Sequence, residues 1–264
     1  MILAIILYAI IGSTAGLFAG LLGISGGVIT VPCLFFIFRF LDFPQAFCMQ
    51  MAIGTSLAAM VFNTLSSTWA HSKRKAVVWD IFKGMLLGII LGSLLGAYFG
   101  DRLSSVFLAM IFGLFACLLG INFLYPYFTL TSRKKKNPGA VRLTLYGVFI
   151  AFISNILGIG GGIITVPILL HHQIPERRAI GTSAATGFVI TFFGALSYLY
   201  FGYGELSLPY TFGFIYLPAF LTIGLTSSIS AVYGAFLTQR LSPPLLRRIF
   251  GLALLAVGLV MLFV

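Results

Sequence analysis

The chain is 264 residues long, and 60% of its residues are apolar whereas only 8% are charged. Soluble domains carry about 25% charged and about 45–50% apolar residues, so this composition excludes a water-soluble globule and a disordered chain. The net charge of +11, from 16 Lys and Arg residues against 5 Asp and Glu residues, indicates basic cytoplasmic loops and no nucleic-acid partner.

Apolar stretches separated by polar residues follow one another along the chain, so we predict an all-α, polytopic integral membrane protein in a lipid bilayer. At about 20 residues for each spanning helix, the length allows about eight to ten membrane segments and no separate catalytic domain. The first stretch lacks a basic leader, which predicts a retained membrane segment. The stretches lie at residues 2–22, 27–38, 46–70, 82–100, 105–128, 143–158, 162–170, 179–203, 210–237 and 243–264.

An internal repeat divides the chain into two halves. The decapeptide GISGGVITVP at residues 23–32 recurs as GIGGGIITVP at residues 158–167, and three shorter motifs recur in the same order. This order predicts a tandem duplication within one membrane domain, with halves at 1–130 and 142–264 and a basic cytoplasmic linker at 131–141. The shorter motifs are GTS at 54–56 and 181–183, RLS at 102–104 and 240–242, and IFGL at 111–114 and 249–252.

Loop charge distinguishes parallel from inverted halves. If each half crossed the membrane four times, the basic residues would divide nine to seven between the two sides. If instead the first two stretches of each half enter and leave on the same side, the division is fourteen to two, with only Arg39 and Arg102 in the minority. The positive-inside rule favours the second arrangement, which predicts inverted halves with both termini outside the cytoplasm.

Helix length supports the same arrangement. The twelve residues at 27–38 span roughly 18 Å as a helix, whereas the hydrocarbon core is about 30 Å thick. We therefore predict one re-entrant helical hairpin with a glycine-rich tip in each half, followed by about three transmembrane helices.

The two tips are the predicted binding site. Backbone exposed at membrane depth is tolerated where it lines a wet cavity, and a helix that begins after glycines presents N–H groups and a positive dipole end to an anion. We predict a small anionic substrate and no catalytic, metal or cofactor site. The candidate binding residues are Ser25, Gly26, Gly27, Thr30, Thr55, Ser56, Asn155, Gly160, Gly161, Gly162, Thr165, Thr182 and Ser183.

Several of these residue types have structural alternatives. Small residues also serve close helix packing, which we favour for the glycines at every fourth position from Gly84 to Gly96. Thr55 and Thr182 could instead bond to the backbone of their own helices. Cys33 is a possible contact for a soft sulfur anion, although the second half has Ile168 at the matching position.

The doubled glycine-rich Thr-Val-Pro pattern and the two Gly-Thr-Ser motifs resemble the sulfite exporter TauE/SafE family, also called the TSUP family, over essentially the whole chain. The resemblance implies transport of small sulfur-containing or organic anions, such as sulfite, thiosulfate or sulfoacetate, across the bacterial cytoplasmic membrane. The family is often described as two four-helix halves, which agrees with the loop charges if each hairpin counts as one segment. The first half departs from the second by having Ser25 in place of Gly160.

Other function classes remain as alternatives. An enzyme would need a nucleophile and base or a metal cluster at membrane depth, and no such arrangement is present in the sequence. An anion channel would use the same glycines and helix dipoles, and small carboxylates could replace sulfur anions as substrate. All five acidic residues lie in loops or at segment ends, which argues against a carboxylate proton relay. A homodimer is possible, but no motif indicates one.

Overall fold

The computed structural model describes residues 2–22, 26–125, 139–206, 208–237 and 243–264. The predicted binding residue Ser25 lies outside these ranges, and so does the predicted linker up to residue 138.

The described residues form ten α-helices and one short β-hairpin, and seven helices are long and apolar enough to cross a membrane. The all-α, polytopic prediction is therefore confirmed. The helices are α1 (Ile2–Leu22), α2 (Gly27–Phe40), α3 (Cys48–Lys73), α4 (Trp79–Arg102), α5 (Ser105–Leu124), α6 (Ala140–Leu157), α7 (Gly162–His171), α8 (Glu176–Phe201), α9 (Leu217–Leu237) and α10 (Pro243–Leu262). The strands are β1 (Thr211–Phe212) and β2 (Ile215–Tyr216).

The apolar stretch predicted at 210–237 differs from the structure at its beginning. Its first residues form the antiparallel hairpin of β1 and β2, and α9 begins only at Leu217. Gly213 adopts a φ of +54° in the turn, and Pro209 and Pro218 flank the strands. A left-handed glycine and a proline both interrupt a helix, so hydropathy alone placed the start of the helix too early.

Helices α3 and α8 form the centre of the molecule. In their most apolar windows 72% of the residues of α3 and 67% of those of α8 are buried, against at most 44% in the other candidate spans. The two helices run antiparallel, because Gly54 faces Tyr198 whereas Thr68 donates a hydrogen bond to the Ala184 carbonyl. Between these contacts the hydroxyls of Thr64 and Thr191 lie 3.1 Å apart.

Glycines allow the outer helices to pack closely in pairs. A Cβ at Gly88 or Gly92 of α4 would overlap a carbonyl oxygen of α6, which confirms the predicted packing role of this glycine series. Helix α1 packs in the same way against α9, where a Cβ at Gly16 would overlap the carbonyl of Ser227. Helix α5 packs against α10, where Gly113 faces Gly258.

The contacts of one half recur between the equivalent residues of the other. Gly12 of α1 faces Ile223 and Thr226 of α9, and its counterpart Gly147 of α6 faces Met85 and Gly88 of α4.

Equivalent residues of the two halves also make equivalent contacts in the other helix pairs. Gly234 of α9 faces Leu17 and Gly20, and its counterpart Gly96 of α4 faces Phe152 and Asn155. In the α5–α10 pair, Gly120 faces Gly251, which reproduces the contact of Gly113 with Gly258. The halves therefore make the same contacts with each other in both directions.

Candidate functional site

The two short helices begin at one cavity. Gly26 is the residue before α2, Gly162 is the first residue of α7, and both line a cavity of about 450 Å³. Gly160 and Ser183 complete the part of the wall that the sequence analysis predicted. The N-terminal ends of two helices are thereby directed toward a shared space, where their dipoles favour a negative charge.

The second tip has the backbone geometry of a loop. Gly158 and Gly161 have φ values of +68° and +73°, a region that side chains with a Cβ rarely adopt. The carbonyl of Gly161 accepts hydrogen bonds from the N–H groups of Ile164 and Thr165 at 3.1 and 2.9 Å, which starts α7 directly at the tip.

The two halves of the chain are in contact at the second tip. Ser56 of α3 donates a hydrogen bond of 3.1 Å to the Gly158 carbonyl. An added Cβ at Gly27 would lie 2.5 Å from the same carbonyl oxygen and 3.1 Å from the Cα of Ile159. These contacts from α2 and α3 support the backbone of the second tip.

Most of the predicted hydroxyls stabilise the backbone around the site. Thr30 and Thr165 donate to Gly26 and Gly161, four residues earlier in the chain, at 3.1 and 2.9 Å. Thr182 accepts from the N–H of Val78 at 2.9 Å, and Thr55 accepts from that of Tyr216 at 3.1 Å. Thr182 of α8 thus holds the residue before α4, and Thr55 of α3 holds the residue before α9.

Three further predicted residues, Gly161, Asn155 and Cys33, do not line the cavity. Gly161 faces Ile190 and Ile150, so it is enclosed by side chains. Asn155 is fully buried and donates to Ser93 at 3.1 Å. Cys33 is partly buried in the apolar core.

A polar face of α3 was missed by the sequence analysis. Asn63, Ser67, His71 and Arg74 follow one another at intervals of three or four residues and line the cavity, together with Thr64 and Ser66. Residues at this spacing share one face of a helix, so the signal was available from the sequence. Ser228 of α9 also lines the cavity and donates to Asn63 Oδ1 at 2.7 Å.

The cavity is electropositive at its rim. Arg74 follows the last residue of α3, and its carbonyl accepts a hydrogen bond from the Arg177 side chain at 3.5 Å. Among the described residues that line the cavity, His71 and Arg74 are the only ionisable side chains with basic character and none is acidic. The lining therefore favours an anion over a cation.

The β-hairpin packs against the opposite end of the α3–α8 pair. Phe214, in the turn of the β-hairpin, is fully buried, and its carbonyl lies 3.0 Å from the position of an added Cβ at Gly54. Its ring contacts those of Phe47 and Tyr198. The hairpin thus covers the end of the helix pair that lies away from the cavity.

Comparisons with known proteins identify related membrane proteins. Residues 8–261 match the family model described as "Sulfite exporter TauE/SafE". A "Probable membrane transporter protein" of Haemophilus influenzae is 34% identical over 260 residues, which cover 97% of each chain. One of Methanocaldococcus jannaschii is 31% identical and covers 97% of this chain and 94% of its own. One of Bacillus subtilis is 28% identical and covers 76% of this chain and 80% of its own.

No solved structure matches the chain. The family match covers nearly all of the sequence, and the relatives at 34% and 31% identity extend over almost the whole chain. The protein is a membrane transporter and not an enzyme. The chain therefore belongs to the sulfite exporter TauE/SafE family.

Proposed function

We propose that this protein is a secondary transporter of small sulfur-containing anions, such as sulfite, thiosulfate or sulfoacetate, across the bacterial cytoplasmic membrane. The observation that carries the proposal is the convergence of the N-terminal ends of α2 and α7 on one cavity whose described lining contains Arg74 and no acidic side chain. Helix N-termini and hydroxyl groups hold oxyanions without a full countercharge, so the anion can also be released.

Inverted halves are supported by the packing of equivalent helices. Helices α3 and α8 occupy equivalent places in the two halves and run antiparallel, and α5 and α10 do the same. A two-fold axis that relates antiparallel helices must lie across them, and therefore in the membrane plane if the helices span the membrane. This is the symmetry of transporters built from inverted repeats.

Re-entrant hairpins are supported by contacts that bring the two ends of each hairpin near each other, through a shared partner in the first hairpin and directly in the second. Near the ends of the first hairpin, Tyr8 of α1 and Phe38 of α2 both contact the ring of Tyr216, with centroid distances of 6.2 and 5.9 Å. In the second hairpin, the hydroxyl of Tyr146 in α6 lies 3.3 Å from Nε2 of His172, the residue just after α7. Each hairpin would then return to the side from which it entered.

The cavity is proposed to open to the cytoplasm. It reaches the end of α3 where Lys73, Arg74 and Lys75 follow one another, and basic residues accumulate on the cytoplasmic side. The β-hairpin covers the other end of α3 and α8. The arrangement corresponds to an inward-facing state.

Counterflow in proteoliposomes tests the proposal. Liposomes are loaded with unlabelled sulfite, thiosulfate or sulfoacetate, and the labelled anion is added outside, with acetate and sulfate as competitors. A carrier accumulates the label transiently above equilibrium, and related sulfur anions compete. Efficient competition by acetate alone would favour carboxylate substrates, and equilibration without counterflow would indicate a channel. Either result would contradict the proposed function.

A further inference from the structure

The residues equivalent to the cavity lining form a buried polar cluster on the opposite side of α3 and α8. Ala19, Gly20 and Ala231 line the cavity, and their counterparts in the other half are Ser154, Asn155 and Ser93. These equivalences follow from the repeated motifs and reproduce the contacts between the helices, as Gly96 and Gly234 illustrate.

Two further members come from α8. Ala70 and His71 line the cavity on α3, and their counterparts are Ser197 and Tyr198. We call Ser93, Ser154, Asn155, Ser197 and Tyr198 the buried polar cluster.

Hydrogen bonds connect three members of the buried polar cluster, Ser93, Asn155 and Tyr198, and close packing seals it. Asn155 Nδ2 donates to Ser93 Oγ at 3.1 Å, and the Tyr198 hydroxyl donates to the Asn155 carbonyl at 3.1 Å. A Cβ at Gly194 would overlap Asn155 Oδ1, so α8 lies directly on the amide. On the cavity side, the counterparts of Gly194 and Asn155 are Ser67 and Gly20, and both line open space. Gly194 and Asn155 are thus in direct contact, whereas the equivalent Ser67 and Gly20 are separated by the cavity.

The polar groups of the cluster are only partly satisfied in this closed arrangement. All five residues have at most 3% of their surface exposed. Ser154 Oγ and Asn155 Oδ1 have no hydrogen-bond partner and are two of four such buried side-chain atoms among the described residues. A buried polar atom without a partner costs free energy, and in a membrane protein such polar residues commonly belong to a substrate pathway.

We propose that the buried polar cluster becomes the lining of the substrate cavity in the outward-facing state, with Asn155 as a substrate-binding group. The inference rests on the proposed function, because it requires a carrier with inverted halves. When the halves exchange their conformations, α3 and α8 close against α1 and α9 and separate from α4 and α6. The side chains of Asn155, Ser93, Ser154 and Tyr198 then offer N–H and O–H donors to a small oxyanion.

Cysteine accessibility tests the inference. In a protein whose three native cysteines are replaced by Ala and whose counterflow is retained, the matched variants are Ser93→Cys in the cluster and Ala231→Cys in the present cavity. A membrane-impermeant methanethiosulfonate reagent is applied to either face, with and without sulfite, thiosulfate or sulfoacetate. We expect Ser93→Cys to react only from the periplasmic face and Ala231→Cys only from the cytoplasmic face. The anion should change the two rates in opposite directions.

The outcomes separate this inference from the proposed function. If Ser93→Cys is unreactive, or reacts from the cytoplasmic face, while counterflow and the labelling of Ala231→Cys persist, the inference is overturned and the carrier stands. Loss of counterflow for every anion in the unmodified protein would instead overturn both. If Ser93→Cys does not fold, Ser154→Cys replaces it, with Ala19→Cys as its matched control.

A second measurement distinguishes binding from a structural role of the amide. Asn155→Ala should raise the KM for counterflow from the periplasmic face by about tenfold, the effect of one lost hydrogen bond of about 1.4 kcal/mol, with a smaller change from the cytoplasmic face. An equal KM on both faces with only a lower melting temperature would show that Asn155 is structural, which would overturn its assignment as a binding group.

Discussion

At the scale of single residues, neighbouring glycines of the second tip have different tasks. Gly161 has a φ of +73° and is enclosed by Ile190 and Ile150, so it shapes the backbone. Gly162 lines the cavity, and among the neighbouring residues that the structure describes only Ser183 Oγ, at 3.4 Å, lies within 4 Å of an added Cβ. Gly161 thus determines the backbone conformation of the tip, and the adjacent Gly162 leaves space for the anion.

Alanine substitutions separate these tasks. We expect Gly162→Ala to fold normally and to raise the KM for the transported anion several-fold, because its methyl group narrows the anion site. Gly161→Ala should cost about 1–2 kcal/mol of stability, because it forces an alanine into a left-handed conformation. Counterflow kinetics and melting temperatures in detergent measure the two effects. An unchanged KM for folded Gly162→Ala would argue against an anion at this helix end.

Arg74 supplies charge at the rim of the cavity. Removal of a partly hydrated positive charge near an anion weakens the binding free energy of the anion by about 1 kcal/mol. Arg74→Gln should therefore slow counterflow at low anion concentration by roughly fivefold. The difference should shrink at high salt, because ions screen the attraction. Lys83→Gln is the control, since Lys83 is exposed on α4 and does not line the cavity. If both variants behave alike, only general surface charge matters.

At the scale of elements, the two central helices also hold the segments that begin α4 and α9. Thr182 of α8 accepts from Val78, and its counterpart Thr55 of α3 accepts from Tyr216. Both threonines are fully buried. The equivalent bonds fix the beginnings of α4 and α9 to the centre of the molecule, which explains the recurrence of the threonine in the Gly-Thr-Ser motif without a contact to substrate.

Valine is close to threonine in shape but cannot accept these hydrogen bonds. Thr55→Val and Thr182→Val should each lower stability by about 1–3 kcal/mol, because a backbone N–H loses its partner. The KM of the folded fraction should remain unchanged. Thr14→Val is the control, since the Thr14 hydroxyl is exposed and bonds only to its own helix. A raised KM at normal stability would instead indicate direct contact with the anion.

At the scale of the whole molecule, equivalent helices meet in antiparallel pairs and the halves make reciprocal contacts. In the proposed carrier with inverted halves, either half can adopt the conformation of the other, which provides two alternative states for transport. The rigid pairs α1–α9 and α4–α6 pack through glycines, so we expect motion to occur between these pairs and the central α3–α8 pair.

Inverted topology makes a direct prediction about two equivalent loops. Gln45 lies between α2 and α3, Gln173 lies between α7 and α8, and both are exposed. With the native cysteines replaced by Ala, Gln45→Cys should react with an impermeant thiol reagent only from the periplasm. Gln173→Cys should react only from the cytoplasm. Labelling of both from the same face would establish parallel halves.

Composition and repetition alone determined the class of the protein. A chain with so few charges has to satisfy its backbone inside a bilayer by forming helices, and a duplicated motif identifies equivalent positions without any coordinates. The glycine tips were found in the same way, because consecutive glycines before an apolar stretch predict a loop that starts a helix. The sequence thus contained the all-α membrane class, the repeated motifs and the glycine-rich segments that border the cavity.

Only the tertiary structure decided which polar side chains face the cavity. Thr55 and Ser67 lie on the same helix, yet the first holds a backbone segment and the second lines the cavity. Asn155 is close to the tip in sequence but is covered by Gly194. The rotation of a helix about its axis depends on packing against its neighbours, and in an apolar helix a few hydroxyls do not fix it. The physical reason is that hydropathy is a local property, whereas exposure depends on which helices meet.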